Sequence, residues 1–390
     1  MTQQPEHVLV VGAGLGGLRT VEQLRAAGYQ GRTSLVGAET HAPYDRPPLS
    51  KQVLTGEWEP ERARLRTVEE LEDLGVRAHL GVRAVALRPG EIELSNGAVL
   101  YGDAIVVATG LVARELPDQP AYVHTLRTLD DALALRAELE KIGTLLVVGG
   151  GFIGAEVASS ARSRGVEVTV LEALPAPSSR ALGPELGALN GRLLTEGGVD
   201  LRTSVRITGF VDGGVALQNG DTVTADAVVV GIGGVPDLDW IDRVDASRGL
   251  LCGPTGRVDG LDGVWAVGDV ASWDGHRSEH WTSAGDQAAV VARDILGAEP
   301  PPATVPYFWS DQFGLKIQLI GRTEEADGLV PLHGSGLDGG PIRGTVAGYL
   351  QGDRLVAVAG FGAARLIARY RALVADGADR AAALEFAAAL

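Results

Sequence analysis

The chain has 390 residues, a formal net charge of −16 and one cysteine, Cys252. That length exceeds what one hydrophobic core supports and indicates two or three domains. The acidic balance argues against nucleic acid as a partner, and a single thiol excludes an internal disulfide or a redox-active dithiol. No apolar run is long enough to span a membrane, and the N-terminus MTQQPEHVLVVGAG lacks the regions of a signal peptide, so we expect a cytoplasmic protein.

Two segments repeat one pattern of strand, glycine-rich turn, amphipathic helix and second strand. HVLVVGAGLGGLRTVEQLRAAG at 7–28 is matched by TLLVVGGGFIGAEVASSARSRG at 144–165. Each copy leads to a strand that ends in an acid, at 33–39 and at 166–172. These duplicated βαβ units predict an α/β protein with two Rossmann-like dinucleotide-binding domains, each containing a parallel sheet.

Later segments complete the predicted domains. The apolar runs at 103–110, 226–234 and 263–271 close on glycine or aspartate and predict strands that end at a ligand crevice. Asn-Gly turns between alternating runs predict a small antiparallel sheet in each dinucleotide-binding domain. The proline-rich stretch 297–306 predicts a linker to a smaller α+β domain that is β-rich at first and helical over 361–390. The predicted domains are residues 1–115 with 237–306, residues 116–236, and residues 307–390.

The first glycine-rich turn has the chemistry of a dinucleotide site. Gly12 permits a tight turn, Gly14 lets the backbone approach a pyrophosphate, and Gly17 lets the helix pack on the strand. Glu39 follows Gly14 by 25 residues, a spacing that suits a carboxylate bound to ribose hydroxyls. Asp269, in GVWAVGDVA, is a candidate for a ribityl hydroxyl or a simple helix cap. An N-terminal site of this kind predicts FAD.

The second turn, with Gly149, Gly151 and Gly154, repeats this pattern, and Glu172 follows Gly151 by 21 residues. An acid at that position binds the adenosine ribose of NADH and repels the additional phosphate of NADPH. No arginine stands beside Glu172 in the sequence, so we predict NADH, with a solvated acid and use of both cofactors as the open alternative. Two dinucleotide sites on one chain predict electron transfer between cofactors, and no metal site is predicted.

Several motifs give the chain a specific resemblance. These are PYDRPPLSK at 43–51, GGGFIGAEVA, WAVGDVA, EHWTSAGDQA at 279–288, and YFWSDQFGLKIQLIG. Together they resemble the FAD-dependent ferredoxin reductases of bacterial oxygenase systems, the family of putidaredoxin reductase, rubredoxin reductase and the reductases of aromatic-ring dioxygenases. The resemblance implies the glutathione-reductase-like architecture. Those relatives that reduce disulfides or peroxides need a cysteine after the first turn, which this chain lacks.

The resemblance also implies roles for named side chains. It places the Lys51 ammonium near flavin N5, with Glu156 paired to it, and makes these two residues the catalytic pair. Four further residues would bind or cover the flavin: Arg46, Thr109, Trp281 and Trp309. For the two tryptophans, packing in the core stays open as an alternative, because Trp is mostly buried in proteins.

The implied function is transfer of a hydride from NADH to FAD, followed by one-electron steps to a ferredoxin of 2Fe–2S type. That ferredoxin would supply a haem monooxygenase or a ring-hydroxylating dioxygenase. Two other readings stay open: a flavin-dependent NADH oxidase or small-acceptor reductase, and a non-enzymatic flavin-binding signalling protein. The second lacks the targeting segment and basic surface that it would need.

Overall fold

The computed structural model describes residues 4–242, 244 and 248–390. These residues form two compact units. Apart from the undescribed positions, the first unit comprises Met1–Asp45, Glu61–Val112 and Gly234–Thr304, and the second comprises Arg46–Pro60, Ala113–Gly233 and Val305–Leu390. The segment that carries Lys51 therefore belongs to the same unit as the second glycine-rich turn. The three-domain boundaries stay a prediction.

The secondary structure follows the alternation expected of an α/β chain. The strands are β1 (His7–Val11), β2 (Arg32–Gly37), β3 (Val76–Leu80), β4 (Ala84–Arg88), β5 (Glu91–Leu94), β6 (Val99–Tyr101), β7 (Ala104–Val107), β8 (Leu111–Ala113), β9 (Thr144–Val148), β10 (Glu167–Leu171), β11 (Asp200–Arg202), β12 (Ile207–Val211), β13 (Gly214–Leu217), β14 (Thr222–Thr224), β15 (Ala227–Val230), β16 (Gly234–Pro236), β17 (Leu250–Cys252), β18 (Val264–Ala266), β19 (Ala271–Trp273), β20 (His276–Arg277), β21 (Tyr307–Gln312), β22 (Leu315–Gly321), β23 (Gly328–His333), β24 (Thr345–Gln351) and β25 (Arg354–Phe361). The helices are α1 (Leu15–Ala26), α2 (Gln52–Thr55), α3 (Val68–Asp73), α4 (Leu129–Leu139), α5 (Phe152–Ser163), α6 (Ser179–Glu196), α7 (Trp281–Ile295), α8 (Ala364–Arg369), α9 (Arg371–Asp376) and α10 (Arg380–Ala388).

A parallel sheet in the order β18-β7-β1-β2-β3 lies at the centre of the first unit. Its middle strand β1 is apolar because both of its faces are covered. Leu9 and Val11 pack into one core, and Val8 and Val10 pack into another. Because both faces are buried, the sequence of a strand in a parallel sheet is a continuous hydrophobic run.

The second unit repeats the arrangement with a parallel sheet in the order β11-β10-β9-β15. In β9 the alternation recurs: Leu145 and Val147 contribute to one core, and Leu146 and Val148 to another. The predicted fold class of two Rossmann-like domains is confirmed. In each, the glycine-rich turn follows the carboxyl end of the central strand, where ligands bind in open α/β sheets.

The predicted Asn-Gly hairpins are also present. Strands β4 to β6 and β12 to β14 each form a three-stranded antiparallel sheet. Gly97 and Gly220 have φ angles of +81° and +91°, which glycine adopts without a steric penalty. The side-chain oxygens of Asn96 and Asn219 each accept a backbone N–H two residues later, at 3.1 Å, and this closes both turns.

The C-terminal part of the second unit is a five-stranded antiparallel sheet in the order β21-β22-β25-β24-β23. Helices α8, α9 and α10 follow β25, which confirms the helical character predicted for 361–390. Within the part of the chain that the structure describes, no helix is long and apolar enough to cross a membrane.

Candidate active site

The first glycine-rich turn connects β1 to α1, and its three signature glycines meet different constraints. Gly12 has a φ of +117°, and a Cβ there would lie 2.1 Å from the Ala108 carbonyl oxygen. A Cβ at Gly17 would lie 1.8 Å from the Gly12 carbonyl oxygen. A Cβ at Gly14 would meet nothing within 4 Å. Gly12 and Gly17 are thus required by the fold, whereas Gly14 borders open space, which is what the predicted approach of a pyrophosphate requires.

Polar groups follow the strand ends beside this turn. Thr109 comes just after β7, and its Oγ1 is buried without a hydrogen-bond partner among the described residues. A buried hydroxyl in that state is costly unless a ligand completes its hydrogen bonding. Glu39 comes just after β2 and accepts a hydrogen bond from the Tyr44 hydroxyl. Asp269 lies in the short 3-10 turn that follows β18.

Both candidate tryptophans are half-buried, and their contact with a flavin stays a prediction. Trp281 begins α7, and its indole Nε1 donates to Asp45 Oδ1 at 2.6 Å. Trp309 lies in β21, where its ring stacks on that of Tyr307 at 5.8 Å between centroids. The Lys316 ammonium lies 5.6 Å from the centroid of the Trp309 ring. Each indole therefore combines partial burial with a polar or aromatic contact.

The second glycine-rich turn, between β9 and α5, has the same geometry as the first. Gly149 has a φ of +104°, and a Cβ there would lie 2.4 Å from the Gly231 carbonyl oxygen. A Cβ at Gly154 would lie 2.0 Å from the Gly149 carbonyl oxygen, while one at Gly151 would meet nothing within 4 Å. The open space again lies beside the middle glycine, in front of the N-terminus of a helix, where anions bind.

Glu172, just after β10, is tied to this turn by its carboxylate. Its Oε2 accepts the Gly150 N–H at 2.8 Å, and its Oε1 accepts the Leu174 N–H at 2.7 Å. The sequence showed no arginine beside Glu172, and the structure adds a contact between main chains: the Glu172 N–H donates to the Arg202 carbonyl oxygen at 2.9 Å. The Arg202 guanidinium is paired with Asp200 at 2.7 Å. Sequence distance did not reveal this neighbour because it comes from the adjacent strand β11.

Lys51 and Glu156 form an ion pair with 2.7 Å between Lys51 Nζ and Glu156 Oε2. Lys51 stands at the junction between the 3-10 turn Pro47–Ser50 and helix α2, and its side chain is 14% exposed. Glu156 lies in the second turn of α5 and is 3% exposed as a residue. A buried ion pair of this kind is stable only when further hydrogen bonds satisfy the charged groups.

Two serines that the sequence did not single out supply such hydrogen bonds. Ser50 Oγ donates to Glu156 Oε2 at 2.5 Å, and Ser310 Oγ donates to Glu156 Oε1 at 2.6 Å. Ser310 belongs to the motif YFWSDQ, where a polar residue at a buried strand position was the available signal. That signal did not predict that Ser310 would bind Glu156, because the two residues are far apart in the chain.

Arg46 precedes the 3-10 turn Pro47–Ser50 and is half-buried. Its Nη1 donates a hydrogen bond to the carbonyl oxygen of Arg127, which lies in the same unit. The Arg127 N–H in turn donates to Asp131 Oδ2 at 2.9 Å. This contact fixes the guanidinium on the backbone of the second unit, and the contact of Arg46 with the flavin stays a prediction.

The single thiol, that of Cys252, is buried. Cys252 is 4% exposed, and burial raises the pKa of its thiol to about 12. Since the thiolate is the reactive form, we expect the native protein not to react with 5,5′-dithiobis(2-nitrobenzoate) at mildly alkaline pH. Unfolding in guanidinium chloride should release one thiol equivalent per chain. Rapid labelling of the native protein would contradict this placement.

The sequence matches the profile of the family described as pyridine nucleotide-disulphide oxidoreductase over residues 6–288, and the reductase C-terminal profile over residues 307–388. The chain belongs to the pyridine nucleotide-disulphide oxidoreductase family. It is 38% identical to the benzene 1,2-dioxygenase system ferredoxin–NAD(+) reductase subunit of Pseudomonas putida, over 82% of this chain and 81% of that one. It is 31% identical to putidaredoxin reductase of Pseudomonas putida, over 90% and 88%. The fold matches the covalent putidaredoxin reductase–putidaredoxin complex with a TM-score of 0.90 and 30% identity, over 98% of each chain.

These matches confirm the resemblance drawn from the motifs. The chain is an NAD(P)H-dependent oxidoreductase, and the family implies FAD and a pyridine nucleotide as its cofactors. The residues present fit both groups. The spaces beside Gly14 and Gly151 are open, and the buried Thr109 hydroxyl has no hydrogen-bond partner among the described residues.

Proposed function

We propose that the chain is an FAD-dependent reductase that takes a hydride from NADH and passes the electrons to a ferredoxin of an oxygenase system. The observation that carries this proposal is the match of nearly the whole chain, including its C-terminal part, to reductases named for that task. The sole cysteine, Cys252, is buried, so the chain has no dithiol of its own to receive the electrons. An external acceptor must therefore take them.

The stoichiometry of electrons fits this acceptor. NADH delivers two electrons together, a ferredoxin accepts one, and bound FAD supplies the chemistry that connects the two. One NADH and two oxidised ferredoxins give NAD⁺, one proton and two reduced ferredoxins. We propose a ferredoxin of 2Fe–2S type that supplies a haem monooxygenase or a ring-hydroxylating dioxygenase.

In this scheme the residues of the chain bind the two cofactors and orient their reacting groups. The N-termini of α1 and α5 offer unpaired N–H groups to the two pyrophosphates, and the middle glycines leave room for them. The proposed role of Glu39 and Glu172 is to bind ribose hydroxyls. The proposed role of Lys51 is to offset, with its charge, the negative charge that develops on the flavin as the hydride arrives. Glu156 holds that ammonium in one position.

The test is turnover of the purified protein with NADH and a panel of 2Fe–2S ferredoxins, with cytochrome c as the final acceptor. We expect rapid cytochrome reduction that depends on ferredoxin, and slow loss of NADH in air without it. Rapid consumption of NADH by oxygen alone would identify an NADH oxidase instead. Bound flavin without turnover of any acceptor would favour a non-enzymatic role.

We further propose that NADH is preferred to NADPH, because the carboxylate of Glu172 stands beside the second turn. Glu172→Ala removes ribose hydrogen bonds and charge repulsion, and it also releases the Gly150 N–H. We expect the ratio of kcat/KM for NADH to that for NADPH to fall about tenfold, equivalent to about 1.36 kcal/mol. Steady-state assays with both cofactors measure it.

Glu167→Ala is the matched control, since Glu167 is an exposed acid on the same strand β10. This variant should keep the wild-type ratio. If the wild-type protein used NADPH as well as NADH, the role proposed for Glu172 would be wrong.

A further inference from the structure

Strand β21 carries two polar residues that are almost completely buried. Ser310 is 0% exposed and Gln312 is 1% exposed. They occupy alternate positions and so point to the same face of the strand. Burying a hydroxyl and an amide costs free energy unless they form hydrogen bonds. Ser310 Oγ and Gln312 Nε2 do form them, whereas Gln312 Oε1 has no partner among the described residues.

The direction of the hydrogen bonds between these residues follows from the charge of Glu156, with which Lys51 is paired. Gln312 Nε2 donates to Ser310 Oγ at 2.9 Å, and Ser310 Oγ lies 2.6 Å from Glu156 Oε1. A hydroxyl has one hydrogen, and an ionised carboxylate only accepts. The Ser310 hydrogen therefore points to Glu156. If the Gln312 amide were turned over, its Oε1 would take that hydrogen and Glu156 would lose it.

Glu156 is consequently held through both of its oxygens. Ser50 Oγ and Lys51 Nζ bind Oε2 at 2.5 and 2.7 Å, while Ser310 Oγ and the Asp311 N–H bind Oε1 at 2.6 and 3.3 Å. The last torsion of a glutamate is broad in energy, so opposed hydrogen bonds are what fix the plane of the carboxylate. Without Ser310, the long contact from the Asp311 backbone is the one that remains on Oε1 among the described residues.

We propose that Ser310, oriented by Gln312, is a positioning residue that fixes the Glu156 carboxylate and through it the Lys51 ammonium. The inference rests on the role of Lys51 given under the proposed function. It makes the C-terminal strand β21 part of the reductive half of the reaction, in addition to any contact it makes with an acceptor. Loss of the Ser310 hydroxyl leaves the charge of Lys51 in place but less well aligned.

Ser310→Ala tests this in the purified flavin-containing protein with two measurements. The first is trace acetylation with acetic anhydride and peptide mass spectrometry, in which labelling of Lys51 is compared with that of the exposed Lys141. We expect Lys51 labelling to rise relative to Lys141, because the amine leaves its partner more often. The second is stopped-flow reduction by NADH. Its limiting rate should fall about tenfold, the factor that corresponds to about 1.36 kcal/mol, with unchanged NADH affinity.

Three further variants complete the set. Ser310→Thr keeps the hydroxyl and should restore low Lys51 labelling. Gln312→Leu removes the donor that orients the Ser310 hydroxyl and should raise Lys51 labelling by a smaller amount than Ser310→Ala. If Ser310→Ala does not fold, Gln312→Leu is the variant that tests the proposal. Thr345→Val is the matched control, since it deletes another buried hydroxyl of the C-terminal part.

Unchanged Lys51 labelling in folded Ser310→Ala, or in Gln312→Leu where that variant decides, would overturn the proposal. So would a raised labelling in Thr345→Val of the same size as in Ser310→Ala. The labelling does not depend on NADH or on a ferredoxin. If the wild-type protein were not reduced by NADH, the proposed function would fail, while the labelling would still report whether Ser310 holds the ion pair.

Discussion

Gly14→Val is expected to yield a folded protein that contains almost no flavin. A Cβ at Gly14 meets no atom of the described protein within 4 Å, and its φ of −81° is open to any residue, so the fold itself tolerates a side chain. The branched side chain would instead fill the space where the pyrophosphate approaches the backbone. Substitution at Gly12 or Gly17 would be uninformative, since it would collide with backbone carbonyl oxygens at about 2 Å.

The measurement is visible flavin absorbance per chain, with circular dichroism to establish folding. Gly209→Val is the matched control, because Gly209, in β12, also borders open space; it should keep full flavin. Gly151→Val should keep flavin as well but lose binding of NADH, since the second turn has the same geometry. Full flavin content in Gly14→Val would show that the first turn does not hold the cofactor.

Lys51→Met should retain FAD but be reduced by NADH a hundredfold or more slowly than the wild-type protein. Removing one well-placed charge or hydrogen bond that stabilises a transition state costs about 2.7–4 kcal/mol. At about 1.36 kcal/mol for each factor of ten, that cost corresponds to a hundredfold or more in rate. Because methionine has a side chain of similar length, the decrease in the rate of reduction measures the contribution of the Lys51 ammonium. Stopped-flow absorbance at saturating NADH measures it.

Lys141→Met is the control, because Lys141 is exposed whereas the Lys51 side chain is largely buried. It should be reduced at the wild-type rate. Glu156→Gln should slow reduction less than Lys51→Met, since the lysine charge remains and only its alignment suffers. If Lys51→Met were reduced by NADH at nearly the wild-type rate, Lys51 would be a packing residue and would have no role in flavin reduction.

The fold class and the two glycine-rich turns could both be predicted from the order of residues alone. Both depend on local constraints: the strand, the turn and the following helix are contiguous, and the positive φ at Gly12 and Gly149 can be read from glycine at those positions. The Asn-Gly hairpins were predictable for the same reason. The motif PYDRPPLSK indicated Lys51 through resemblance, not through any property of the segment alone.

The surroundings of the charged groups could not be predicted in this way. Ser50 and Ser310 both bind Glu156, from which they are separated by 106 and 154 residues of chain. The main chain of Arg202 contacts that of Glu172 because β11 pairs with β10. Spacing in sequence carries no signal for such contacts. The free energy of a buried carboxylate depends on every donor that reaches it, and those donors are chosen by how strands and helices pack. The environment of the Lys51–Glu156 pair is therefore a property of the folded unit.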